Sequence, residues 1–273
     1  VPGWDNLSLR QKEYAYHLSE AAKLGRDITW DQYCKWNLPI RHVVEDILNE
    51  YEGDRECADF QNFTVYAKRL FFANGIHHHY SEDKFFPECP KEYFQSLMEA
   101  VGDGEQATEL LEVIYSPDIY PQRRSTSKTG DIVELSAVNF YDGVTCEEVD
   151  KYYNSMMDPN DKTPISYGLN TKVVKEDGKV VEKPWKVGGI YGPALEKICA
   201  ELEKAAAVAE TDLQKEAIGK LVEYYRTGDL KTWDDFNIDW VQDTVGTIDF
   251  INGFIEDYDD PLGRKATWEG YVN

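Results

Sequence analysis

Apolar residues recur at helical spacing through most of residues 7–115, and a glycine follows most of these segments. The clearest example is the set Val43, Val44, Ile47, Leu48 and Tyr51. These positions share one face of a helix, and Gly53 then ends the pattern. The same periodicity predicts helices over 7–25, 60–73, 90–102 and 106–115. Amphipathic helices bury their apolar faces against one another, so this region is predicted to be a helical assembly.

The second half of the sequence mixes helices with hairpins. Thr145 and Glu148 have the spacing of a capping box, which predicts a helix that begins there. Alternating Lys and Val residues on both sides of Asp177-Gly178 predict a hairpin, because this dipeptide suits a type I′ turn. Pro193 suits the first turn of a long helix. The predicted fold class is therefore α+β, predominantly α-helical, with β-hairpins.

Residues 249–272 have the pattern of a strand, a turn and a second strand. An apolar run ends with Glu256 and Tyr258, an Asp-Asp-Pro-Leu-Gly turn follows, and the next run carries Glu269. Two carboxylates and a phenol on one hairpin can line one wall and accept charge-assisted hydrogen bonds from an ammonium group. Glu256, Tyr258 and Glu269 are therefore the candidate substrate-binding residues. The alternative is that each is an ordinary solvated or capping side chain.

The chain is strongly acidic, with a net charge of -22. This charge repels phosphates and anionic lipids, so it argues against nucleic acid and anionic membrane surfaces as partners. It is compatible with substrates that carry an ammonium group, and solubility alone is the alternative explanation. No apolar stretch approaches the roughly 18–20 residues that a membrane span needs.

The sequence contains no recognisable catalytic motif. His77, His78 and His79 are adjacent, so their side chains point in different directions, and hydrogen bonds to Glu82 and Asp83 are favoured over a metal site. A His-Glu-x-x-His motif and a Gly-x-Ser-x-Gly motif are both absent. The sequence therefore predicts no catalytic residue and no metal ligand.

Cysteine usage and the first residues bear on localisation. The five cysteines are scattered and form no Cys-x-x-Cys pair. Free thiols suit a reducing compartment and favour the cytoplasm. The sequence starts Val1-Pro2-Gly3 without Met, which predicts a processed or trimmed product, so an exported bacterial form stays an alternative.

Several segments together resemble one enzyme family. The stretch Gly253-Phe-Ile-Glu-Asp-Tyr-Asp-Asp-Pro-Leu-Gly263 closely resembles the Gly-Phe-Ile-Glu-x-Tyr-x-Asp-Pro-x-Gly motif of the dipeptidyl peptidase III family, zinc exopeptidases that remove dipeptides from peptide N-termini. Trp240-Val-Gln-Asp243 lies at the family's distance before this motif. Similar segments elsewhere are Asn139-Phe-Tyr-Asp-Gly143, Leu169-Asn-Thr-Lys172 and Asn74-Gly-Ile-His-His-His-Tyr80, the last in the form of members from the Bacteroidetes.

The resemblance implies a fold and a set of roles. The family has two lobes around a cleft, and residues 1–273 match the first segment of the non-catalytic lobe, with a portion of a small β-barrel at the C-terminal end. A subdivision into a helical region, residues 1–130, and a mixed region, residues 131–273, is expected. Glu256 would hold the substrate's ammonium group, Tyr258 would contact the peptide near the scissile bond, and Glu269 would lie near the cleft.

The resemblance also implies what the chain lacks. The family's zinc ligands and general base belong to a His-Glu-x-x-x-His motif and a second acidic motif, both expected downstream of residue 273. The predicted function is the substrate-binding lobe of a dipeptidyl peptidase III-like metallopeptidase, inactive alone, with zinc in the full-length enzyme. Its partners would be an oligopeptide with a free N-terminus and the missing catalytic half. The alternative is a stand-alone acidic helical module that binds peptides or a protein without catalysis.

Overall fold

The computed structural model describes residues 3–273. Internal packing divides the chain into two units. Trp30–Asn139 form one, here called the helical unit, and the residues up to Thr29 pack with Phe140–Asn273 in the other, the mixed unit. The assignment of residues 1–273 to one lobe, and its subdivision at residue 130, stay predictions.

The helical unit is built from α3 (Asn37–Glu50), α4 (Ala58–Ala73), α5 (Lys91–Ala100) and α6 (Ala107–Tyr115), and α2 (Arg26–Tyr33) leads into it. The predicted face of α3 is confirmed, since Val43, Val44 and Ile47 are buried in the core. The rings of Phe63 and Phe94 meet edge to face at 5.1 Å between centroids, a contact that adds about 0.5–1.5 kcal/mol beyond the buried area.

The mixed unit holds α1 (Leu9–Leu24), α7 (Cys146–Asn154), α8 (Gly192–Ala207), α9 (Asp212–Thr227) and α10 (Leu230–Gln242). Helix α1 packs on α8, α8 on α9, and α9 on α10. The capping box at the start of α7 is confirmed, because the Thr145 side chain accepts from the Glu148 amide and the Glu148 carboxylate accepts from the Thr145 amide. The long helix predicted after Pro193 is α8.

The strands of the mixed unit form two small sheets. Strands β1 (Tyr141–Asp142), β2 (Thr171–Glu176) and β3 (Lys179–Pro184) make one sheet, and β4 (Phe250–Glu256) pairs antiparallel with β5 (Thr267–Val272) in the other. The β2–β3 hairpin turns at Asp177 and Gly178, whose φ angles of 49° and 75° belong to the predicted type I′ turn. Among the described residues neither sheet closes into a barrel.

Helix α10 is capped by Asp229, whose carboxylate accepts from the Thr232 amide at 2.7 Å. Trp233 and Phe236 bury the apolar face of its first half, whereas Ile238 and Val241 near its end are exposed.

Two further properties follow from the described residues. All five cysteines are free thiols. No helix in the described range 3–273 is long and apolar enough to cross a membrane. Localisation in the cytoplasm stays a prediction.

Candidate functional site

The β4–β5 hairpin carries two of the three predicted site residues. Phe254 faces Trp268 in the ladder, but the register then shifts at a β-bulge, and Glu256 faces Thr267. Thr267 and Glu269 are two residues apart on β5 and point to the same face of the sheet. The bulge therefore places Glu256 on the face that carries Glu269, whereas an unbroken ladder would turn it to the opposite face.

The carboxylate of Glu269 is half-buried in a negative environment. Burial raises the pKa of Glu269 above its ordinary value, and the charges of Glu256 and Asp259 raise it further. Asp259, only 1% exposed, lies in the loop after β4. We call Glu256, Asp259 and Glu269 the acid patch. A cation bound there would relieve the repulsion that Glu256 and Asp259 exert on Glu269.

Tyr258 does not lie in the ladder. It belongs to the loop that follows β4, and 58% of its side chain is exposed. The structure thus brings the two predicted glutamates together and leaves the phenol on the adjacent surface. Sequence reasoning missed Asp259, because the motif contains several aspartates and their spacing does not show which one is buried.

Apolar packing fixes the strand that bears Glu256. The Phe254 ring lies 4.9 Å from that of Trp185, between centroids, on one face of β4. On the other face, a Cβ at Gly253 would meet the Trp233 ring at 2.5 Å, so only glycine fits. Gly253 is the ladder partner of Glu269. Glu269 therefore leaves the sheet on the face against which the Trp233 indole packs.

The histidine cluster has local roles, and the expected bonds to Glu82 and Asp83 are wrong. His77 is buried and its Nε2 lies 2.8 Å from the Tyr120 carbonyl oxygen, while burial lowers its pKa to about 4. His78 Nδ1 accepts from two backbone amides that follow it in the turn. Glu82 instead pairs with Arg123 and Arg124, since its carboxylate lies beside both guanidinium groups.

A zinc site does not fit the described residues. No three His, Cys, Asp or Glu side chains between residues 3 and 273 converge as metal ligands. A catalytic zinc needs three protein ligands and an open position. The chemistry that the acid patch itself offers is recognition of a cation by charge-assisted hydrogen bonds.

Comparisons with known proteins agree with the sequence resemblance. Residues 146–273 match Peptidase family M49. Dipeptidyl peptidase 3 of Homo sapiens is 25% identical over 97% of this chain, and that of Dictyostelium discoideum is 24% identical over 98%. Each alignment covers 42% of the relative, so the chain spans about two fifths of the length of these curated proteins.

Solved structures show the same fold. Dipeptidyl peptidase III from Caldithrix abyssi superimposes with a TM-score of 0.65 at 19% identity, covering 98% of this chain and 40% of that one. The enzyme from Corallococcus sp. strain EGB gives 0.65 at 16% identity, covering 100% and 40%. The resemblance found in the motifs is therefore confirmed: over nearly its whole length this chain is similar to dipeptidyl peptidase III, and residues 146–273 match Peptidase family M49.

Proposed function

We propose that this chain is the substrate-binding portion of a dipeptidyl peptidase III-like enzyme and that the acid patch receives the N-terminal ammonium group of a peptide. The observation that carries the proposal is the bulge in β4, which gathers Glu256 with Glu269 on one face. The charges of Glu256 and Asp259 disfavour the charge on Glu269, which makes this a favourable place for a positive charge.

The geometry suits an enzyme that cleaves at a fixed distance from the N-terminus of a peptide. An ammonium group held by charge-assisted hydrogen bonds fixes the first residue of the substrate. The distance from that anchor to the reacting groups then selects the bond to be cleaved. Exposed Tyr258 follows Glu256 by two residues and would contact the peptide backbone.

Cleavage of the peptide would depend on residues of the catalytic half, outside residues 3–273. Zinc would come with the catalytic half of the complete enzyme, as the family resemblance implies. The described side chains of this chain provide no group of three metal ligands. We expect the 273-residue chain by itself to release no dipeptides and to bind no stoichiometric zinc.

The test is Glu256→Gln in the full-length protein that contains this chain. Affinity and kcat/KM are measured for a peptide with a free N-terminus and for the same peptide with an acetylated N-terminus. Loss of the charge should weaken binding of the free peptide by about 1.5–3 kcal/mol, the usual contribution of a hydrogen bond to a charged group. The acetylated peptide should be affected far less.

The matched control is Glu216→Gln, which removes one negative charge from an exposed position on α9. It should leave both peptides unchanged. If Glu256→Gln loses affinity equally for the free and the acetylated peptide, Glu256 does not bind the ammonium group. Tight binding of acetylated peptides to the isolated chain would favour the stand-alone binding module instead.

A further inference from the structure

The loop between β4 and β5 is fixed by two buried charged residues. Asp260 is 3% exposed and Lys265 is 0% exposed, and both belong to the segment that joins Glu256 to Thr267. Burial of a charged side chain costs free energy unless its hydrogen-bonding capacity is filled. Both residues fill it with partners that restrain the loop.

Asp260 closes the loop on itself. Its Oδ2 accepts from the backbone amides of Arg264 and Lys265, each at 2.8 Å, and its Oδ1 accepts from the amide of Leu262 at 3.2 Å. The hydroxyl of Tyr141 on β1 donates to Oδ2 at 2.8 Å. One carboxylate thus joins both limbs of the loop to the three-stranded sheet.

Lys265 anchors the second limb. Its Nζ donates to the Gly168 carbonyl oxygen and to Thr171 Oγ1, each at 2.9 Å, and also to the hydroxyl of Tyr153. The hydroxyls of Tyr153 and Thr171 each donate to Glu182 Oε1 at 2.7 Å. The ammonium group of Lys265 is therefore linked to a carboxylate on β3 through two hydroxyls.

We propose that Asp260 and Lys265, with Tyr141, are positioning residues that hold the acid patch in the geometry that receives the peptide ammonium. This inference rests on the function proposed above. Like charges move apart when nothing restrains them, and the loop carries Asp259 next to Asp260. Thr267, the ladder partner of Glu256, lies two residues after Lys265. Asp260 and Lys265 therefore hold the loop in place against the repulsion within the acid patch. The site is then preorganised before substrate arrives.

The experiment compares Tyr141→Phe with Tyr115→Phe in the full-length protein. Each change removes one hydroxyl that donates at 2.8 Å, from Tyr141 to Asp260 and from Tyr115 to the Cys89 carbonyl in the helical unit. Tyr141→Phe should raise KM for a free peptide about two- to tenfold, the range for one hydrogen bond, and leave kcat unchanged. It should also lower the ratio of kcat/KM for the free peptide to kcat/KM for the acetylated peptide. Tyr115→Phe should change neither.

Thr171→Val is the second variant, because it keeps the side-chain shape and removes the hydroxyl that links Lys265 to Glu182. It should show the same KM effect. Lower melting temperatures with unchanged KM and unchanged peptide preference in both variants would overturn the inference and leave the loop anchor a stability feature. If Glu256→Gln retains the preference for a free N-terminus, the proposed function fails instead. If only Glu256→Gln loses it, the positioning role alone fails.

Discussion

Lys265→Met should remove a pH-dependent contribution from the free energy of unfolding. Burial lowers the pKa of Lys265 from 10.5 to about 7, although the charges of Glu182 and Asp260 raise it. The nearby Arg264 guanidinium lowers it further. The ammonium group donates to the Gly168 carbonyl oxygen and to the hydroxyls of Tyr153 and Thr171.

The sign follows from proton binding. The unfolded chain keeps the lysine proton up to about pH 10.5, whereas the folded chain releases it near pH 7. Between these values the unfolded state binds more protons, so stability rises with pH. The full difference in pKa corresponds to about 5 kcal/mol, and roughly half of this contribution develops between pH 7 and 9. Well below pH 7 both states are protonated and the contribution is constant.

Urea unfolding followed by tryptophan fluorescence at pH 6, 7, 8 and 9 measures this contribution. The stability of the wild type minus that of Lys265→Met should change little from pH 6 to 7 and then grow steeply towards pH 9. The control Lys215→Met changes an exposed lysine of α9 and should give a flat difference. A flat difference for Lys265→Met as well would refute the depressed pKa, and with it the desolvated anchor.

Three further predictions concern single residues. Glu269→Gln should raise the melting temperature at pH 7, because the raised pKa of Glu269 means that its charge opposes folding; the gain should vanish below about pH 4, where unfolded glutamate is protonated. Gly253→Ala should cost about 1–3 kcal/mol in urea unfolding, since its Cβ would meet Trp233 at 2.5 Å, whereas Gly219→Ala on α9 meets open space and should stabilise by about 0.5–1 kcal/mol. His77 is neutral in the folded chain and charged in the unfolded chain between pH 6.5 and about 4, so it lowers the free energy of unfolding as the pH falls through this range. In His77→Gln the free energy of unfolding should therefore fall less over the same range.

The features predicted from sequence are those that short-range chemistry determines. The capping box at Thr145 and the turn at Asp177-Gly178 need only neighbours along the chain, and the structure has both. The bulge before Glu256 depends on how β5 pairs with β4, which no local pattern encodes. The burial of Lys265 likewise depends on Gly168 and Thr171, which are far away in sequence. The motif therefore reveals the candidate glutamates but not the contacts that hold them.

The most direct test of the central claim is the pKa of Glu269 with and without peptide. Carbon-13 NMR of glutamate-labelled protein gives the titration of each carboxyl group, and Glu269→Gln assigns the signal. A bound ammonium group favours the charged form, so a tetrapeptide with a free N-terminus should lower the raised pKa of Glu269. The acetylated tetrapeptide should leave it unchanged. A pKa that stays raised when the free peptide is bound, or that falls equally with both peptides, would contradict the acid patch as the ammonium site.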